Sequence, residues 1–413
     1  MPAAKAHSWT FRSRFRANAF GWRSDVPIKR IKEAVAEIKT VARKDKILAG
    51  EGAVILLEKL SGALSNVDSS SGAIGSAVNH AIETLVPIIA QAPASDSLRD
   101  KWLERLWRAI ADDDMPYIEL LPDHWGELCV TPDLASQWAD RFIDVVRMIW
   151  SPDLPRGGHF KGTAACLSAL HAAGRHDDLL NLLELAPTKF WHDRQWGVRA
   201  LVAQGKAEAA IRYAEDTRGL NQPDSRISLA CEEIMLSAGQ GRAAYDRYAL
   251  AANRHGTYLA TFQAVTAKYP QIEPKAILAD LIASTPGEEG KWFAAAKSAG
   301  LFAEAAELAW TRPCDPKTLT RAARDFAISK PEFARSVGLA ALRWLLSGHG
   351  YDVTAQDAVE AFNQTLAAAL HNGTEVDTVQ RIQRLIEQYP GAEHTFCAVL
   401  RQRLHEATKS SAP

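Results

Sequence analysis

A glycine that follows a run of small residues recurs along the middle of this 413-residue chain. Its fullest form is Ala203-Gln204-Gly205-Lys206-Ala207-Glu208-Ala209-Ala210-Ile211-Arg212-Tyr213-Ala214. Altered copies are Ala172-Ala173-Gly174 followed by Leu179 and Leu180, Ser237-Ala238-Gly239 followed by Ala244 and Tyr245, and Ser298-Ala299-Gly300 followed by Ala305 and Ala306. The four glycines lie 31, 34 and 61 residues apart, the last interval being close to two periods. Such a repeat is what a helix–turn–helix unit writes into a sequence. One helix ends on a glycine free to adopt a left-handed cap, and a short turn follows. Five positions later a small residue (Ala210, Ala244 or Ala305) lets the second helix approach the first closely.

Helical spacing extends beyond the repeat. Trp138, Phe142, Val145, Val146 and Ile149 fall on one helical face, and Leu98, Trp102, Leu103, Leu106, Trp107 and Ile110 form another. Short breaks with cap and proline signals separate the stripes, at Pro93-Ala94-Ser95-Asp96, Thr131-Pro132-Asp133, Gln222-Pro223-Asp224-Ser225 and Pro313-Cys314-Asp315-Pro316. Strand alternation is absent. The sequence therefore predicts an all-α fold, a superhelical array of antiparallel helical hairpins.

The glycine and small-residue spacing resembles tetratricopeptide-type repeats over 158–312, with Leu179 replacing the small residue in the first copy. The helices of 47–155 are longer and richer in tryptophan, and they resemble HEAT-type hairpins. Four regions follow: a basic, aromatic-rich arm and helix over 1–46, a HEAT-like domain over 47–155, a tetratricopeptide-like domain over 156–407, and a disordered tail over 408–413. Phe20-Gly21-Trp22-Arg23, Val67-Asp68-Ser69-Ser70-Ser71-Gly72-Ala73-Ile74-Gly75 and Ser284-Thr285-Pro286-Gly287-Glu288-Glu289-Gly290-Lys291-Trp292 are also similar to an uncharacterised family of bacterial helical-repeat proteins. That resemblance implies a fold and no activity.

The net charge of −1 hides an asymmetry. Residues 1–46 hold 12 basic and 4 acidic residues, a surplus of +8, and the remainder carries −9. A basic head on an acidic body marks a place for an anionic partner. The five cysteines are scattered singly, which fits neither a disulfide framework nor a zinc module but suits small core residues in a reducing cytoplasm. No apolar stretch approaches the roughly 18 residues of a membrane span. The acid-free first 24 residues loosely resemble an organelle transit peptide, although their aromatic content is high for one.

Candidate sites weigh against ordinary structural roles. Trp9, Arg12, Arg14, Arg16, Trp22, Arg23, Lys29 and Arg30 combine phosphate-neutralising cations with stacking rings, which suits an anionic partner such as nucleic acid through residues 9–46. The competing reading packs those rings on the first hairpin and pairs the arginines with acids. The following stretch, 27–46, reads as a basic amphipathic helix. Asp68 and the serines after it read as a helix cap, and Asp113 or Asp114 as another. Gly157-Gly158-His159-Phe160-Lys161-Gly162-Thr163 has its lysine before the glycine, unlike a phosphate loop, and Gly287–Trp292 lacks the hydroxyl. His171, His176, Asp177 and Asp178 cluster across a turn, with His192-Asp193 nearby, but no metal-ligand spacing appears.

The leading expectation is a non-enzymatic scaffold that binds a peptide or helix on the concave solenoid surface, through Trp191, Trp196, Arg199, Tyr213, Tyr245, Arg247 and Tyr248. The alternative is a nucleic-acid-associated protein acting through the basic arm. The weaker alternative is a hydrolase or transferase whose composite site joins distant helices. No cofactor, metal or membrane association is expected.

Overall fold

The computed structural model describes residues 7–151, 158–389 and 394–410. Lys5, Gly157, the expected boundary at 155/156 and residues 411–413 lie outside them. The described chain is all-α, an array of helical hairpins packed in sequence order, and it contains no strand among the described residues. It divides into two compact units, residues 1–223 and 224–413, so the division falls inside the stretch of repeated glycine turns.

The first unit holds α1 (Asp25–Ala42), α2 (Lys46–Leu64), α3 (Ala73–Ala90), α4 (Asp96–Ala111), α5 (Trp125–Cys129), α6 (Pro132–Ile149), α7 (Thr163–Ala172), α8 (His176–Glu184), α9 (Trp191–Ala203) and α10 (Ala207–Glu215). A 3₁₀ turn over Leu121–His124 leads into α5. The second holds α11 (Asp224–Ser237), α12 (Gly241–Ala252), α13 (Tyr258–Lys268), α14 (Pro274–Ala283), α15 (Phe293–Ser298), α16 (Phe302–Thr311), α17 (Pro316–Phe326), α18 (Pro331–Leu346), α19 (Ala355–Asn372), α20 (Glu375–Gln388) and α21 (His394–Ser410). The last helix runs past Thr408, where the tail was expected to begin.

The glycine repeat carries out the capping role its spacing implied. Gly174, Gly205, Gly239 and Gly300 have φ of 70°, 73°, 74° and 74°, and the residue after each donates its N–H to a carbonyl one turn back. Ala210, Ala244, Ala305 and Leu179 are all fully buried. The double interval between Gly239 and Gly300 is filled by α13 and α14, a hairpin whose turn ends on Pro274 instead of a glycine. Ser95, Thr131 and Asp315 cap α4, α6 and α17 as the break signals predicted.

A second device closes other helix ends. Buried Arg99 donates to the carbonyls of Ile89, Ala90 and Ala92 at the end of α3, and to Leu128 O. Buried Arg194 closes α10 through Tyr213 O and Thr217 Oγ1. Lys161 closes α4 through Ala111 O at 2.9 Å and Asp113 O at 2.8 Å, which gives the lysine of the glycine-rich loop a structural task. Trp344 donates to Ala309 O in α16 at 2.6 Å.

Helix α2 is apolar around most of its circumference because α1, α3 and α4 all pack on it. Helix α3 is 18 residues long and apolar enough to cross a membrane by length and composition, which amends the sequence expectation. Ile74, Val78, Ala81, Ile82, Leu85, Val86 and Ile89 form its buried stripe, and α1, α2 and α5 pack against it. Asp68 bonds Ser70 N within the preceding turn, while Gly72 occupies the cap position. Asp113 caps no helix either. Its buried carboxylate accepts from Ser61 Oγ and from Ile118 N, fixing the segment that follows α4.

In the second unit Glu232 is fully buried and accepts from Lys268 Nζ at 2.5 Å, Tyr269 Oη at 2.6 Å and Asn253 Nδ2 at 2.8 Å. Tyr245 donates to Asp280. Burial and these carboxylates push both phenols well above their ordinary range.

Candidate functional site

The polar residues that converge lie where the 3₁₀ turn, α7 and α9 meet. Ser168 of α7 accepts from Gly126 N at 3.0 Å and donates to Asp123 O at 2.8 Å. A Cβ at Gly126 would stand 2.5 Å from the Ser168 carbonyl oxygen, so only glycine lets α5 sit this close to α7. That contact seats Asp123 against α9, with its Oδ1 3.6 Å from His192 Nε2.

The Asp123 side chain is 18% exposed, and its Oδ1 is buried with no hydrogen-bond partner. Burial raises its pKa, against the pull of His192, His124 and Arg199. Burial also raises that of Asp193, with Asp123 adding to the effect and His192 opposing it. His171 lies on α7, its ring 5.5 Å from His176 and 5.9 Å from Trp196. Burial lowers its pKa, and the neighbouring His176 and Arg199 charges add to that. Arg199 lies over the Trp196 ring at 4.5 Å, so on one face of α9 the exposed His192 and Arg199 flank a buried Trp196. Trp196 Nε1 and Tyr213 Oη are further buried polar atoms without a partner.

Most of the expected peptide-contact residues are withdrawn from the surface. Trp191, Trp196, Tyr245 and Tyr248 are buried at 4–6% exposure, and so correct the expectation of exposed aromatic contacts. Their rings supply the apolar area that closes each hairpin. Tyr213 is half-buried beneath the Arg194 guanidinium, 3.6 Å away. Arg199 and Arg247 alone of the seven are exposed, and Arg247 reaches Tyr248 Oη at 2.8 Å.

The arm is similarly divided. Trp9 is buried with Phe11, Phe15 and Phe20, which corrects its assignment as a stacking residue. Its indole occupies the space over Gly52, where a Cβ would lie 2.2 Å from the ring. Arg14 and Arg30 pair with Glu33 at 3.0 and 2.6 Å. Arg12, Arg16, Arg23 and Lys29 are exposed, and Trp22 is 72% exposed.

Asp123 is the functional candidate that the sequence did not offer. Nothing near it resembles a motif, and its environment comes from α7 and α9, at least 40 residues downstream. Among the described residues, no group of three or more histidine, cysteine or carboxylate side chains could hold a metal ion. Burial pushes the Cys129, Cys166 and Cys314 thiols up to about 12, far from a reactive thiolate. No protein-family model matches the chain, and no curated protein sequence matches it.

Proposed function

We propose that the chain is a non-enzymatic interaction scaffold of the cytoplasm, a diverged tetratricopeptide-type solenoid that binds an extended peptide or helix across α7 and α9. One observation carries this reading: the buried Asp123 Oδ1 has no donor. A buried acceptor left unpaired costs about 1–3 kcal/mol, and a partner that turns the 18%-exposed Asp123 side chain so that Oδ1 meets an N–H recovers it. His192 and Arg199 flank the position and offer further contacts from one side of a single helix. Five free, buried cysteines are consistent with the reducing compartment.

The composite-enzyme alternative finds less support in the same residues. An Asp–His pair acts on a nucleophile. The neighbouring hydroxyl, Ser168, already donates to Asp123 O and accepts from Gly126 N, so it serves the fold.

The test is selection of a random peptide library on immobilised full-length protein, compared with an Asp123→Asn, Arg199→Ala double variant. The wild type enriches a peptide class that the variant binds at least ~10-fold more weakly, the equivalent of about 1.4 kcal/mol. No enrichment, or equal binding by the variant, overturns the reading.

A further inference from the structure

The basic head has a geometry that the charge count did not contain. Helix α1 buries Ile31, Ala34, Val35 and Ile38, which turns Lys29, Lys32, Lys39 and Arg43 outward along one exposed side. At 1.5 Å per residue these cations span about 21 Å. The two acids of the helix body are occupied elsewhere. Glu33 holds Arg14 and Arg30, and Glu37 accepts from Thr10 N at 2.9 Å and from its hydroxyl at 2.5 Å. The arm, fixed by its buried rings, thus draws the carboxylates to its own side and leaves a row of cations without an ion-pair partner among the described residues.

A groove of about 530 Å³ lies against Trp22, three residues before α1 begins. Trp22 and Met115 are its exposed walls, and the side-chain oxygens of Ser65, Asn66, Asp68 and Ser69 line it as acceptors, the Ser65 hydroxyl and Asn66 amide already donating to Asn18 Oδ1. The Trp22 backbone is held by Asp68 N at 2.9 Å, so the ring projects from a fixed point.

We propose that this face binds single-stranded nucleic acid, with the sugar–phosphate backbone along α1 and a base in the groove against Trp22. Charge complementarity selects a polyanion, and the groove selects among polyanions. Its polar side chains can bond a base edge, while the indole offers a stacking plane that any base can use. An anionic membrane gains nothing from that polar lining, and Ala36 and Thr40 between the cations offer little to bury in lipid. This surface involves α1 and the groove beside it, and stands independently of the α7–α9 reading.

The test uses full-length protein with fluorescein-labelled 15-residue oligo(dT) and oligo(U), across a salt series. Four neutralised phosphates give a log–log salt slope of about −3 for single strands. The Lys29→Ala, Lys32→Ala, Lys39→Ala, Arg43→Ala variant changes only exposed side chains. It flattens the slope and weakens binding at least ~30-fold at low salt. Trp22→Ala lowers affinity ~10-fold and keeps the slope, because stacking carries no charge. Circular dichroism melts establish that both variants are folded. The inference is overturned by absence of oligonucleotide binding, or by binding that survives the quadruple variant. It is equally overturned by association with phosphatidylserine vesicles or polyglutamate in place of oligonucleotides. A duplex bound as tightly as the single strand, with Trp22→Ala silent, overturns the groove's part.

Discussion

Arg99 and Asp123 show how differently a buried charge can be treated. Arg99 is 3% exposed, and four backbone carbonyls accept from its guanidinium. Replacing it with methionine keeps much of the volume and orphans those carbonyls. Arg99→Met is expected to cost about 2–4 kcal/mol in urea unfolding, whereas Arg14→Met, at an exposed pair, costs under about 0.5 kcal/mol. Asp123 has the opposite imbalance, because burial favours its protonated form. A carboxyl whose pKa is raised by folding lends stability at low pH and loses it as pH rises from the unfolded value, about 3.9, through the folded one. Asp123→Asn therefore raises the melting temperature at pH 7, leaves it nearly unchanged at pH 3.5, and weakens peptide binding. A stabilising substitution that lowers binding is the pattern expected of a position kept for function. His171 acts in the other direction. Its lowered pKa means that the unfolded chain takes up its proton first, so stability falls as pH drops through about 6.5. His171→Gln is expected to flatten the stability profile between pH 7 and 5.

At the scale of the element, the fold was legible where a local geometry demands a particular residue. A left-handed turn needs glycine, so Gly205 and its counterparts marked hairpin turns from the sequence alone. Gly205→Ala, at φ 73°, is expected to cost about 1 kcal/mol or more. Gly62→Ala, on the exposed side of α2 with open space around the new methyl, is expected to add about 0.5–1 kcal/mol. Paired melts of the two variants check the contrast. Legibility failed where the partner belongs to another helix. The Arg99 and Lys161 caps join residues from different helices, and no local pattern announces them. The aromatics failed for a related reason. Periodicity says that Trp196 and Tyr245 share a face with other residues, but not that a neighbouring hairpin of the same unit covers that face. The candidate site shared this fate: His171 and His192 drew notice through their neighbours in sequence, while Asp123 entered only through packing.

For the whole molecule, the break between Pro223 and Asp224 is a testable statement about cooperativity. Fragments 1–223 and 224–413, expressed separately, are each expected to be helical by circular dichroism and to unfold in a single transition. A fragment without a cooperative melt counts against two self-sufficient units. The buried Glu232 network belongs wholly to the second fragment, so Glu232→Gln is expected to destabilise that fragment by about 2–4 kcal/mol.

The capping glycines have one more consequence. Each of the four hairpins that turn on Gly174, Gly205, Gly239 and Gly300 asks of evolution only that glycine and a buried residue five positions later, besides apolar residues at helical intervals. Most other positions are free to drift, and a unit that touches chiefly its neighbours can tolerate change without distorting the rest. An architecture specified so sparsely can outlast the sequence resemblance between its descendants, and its surfaces can be rewritten for new partners while the frame is inherited.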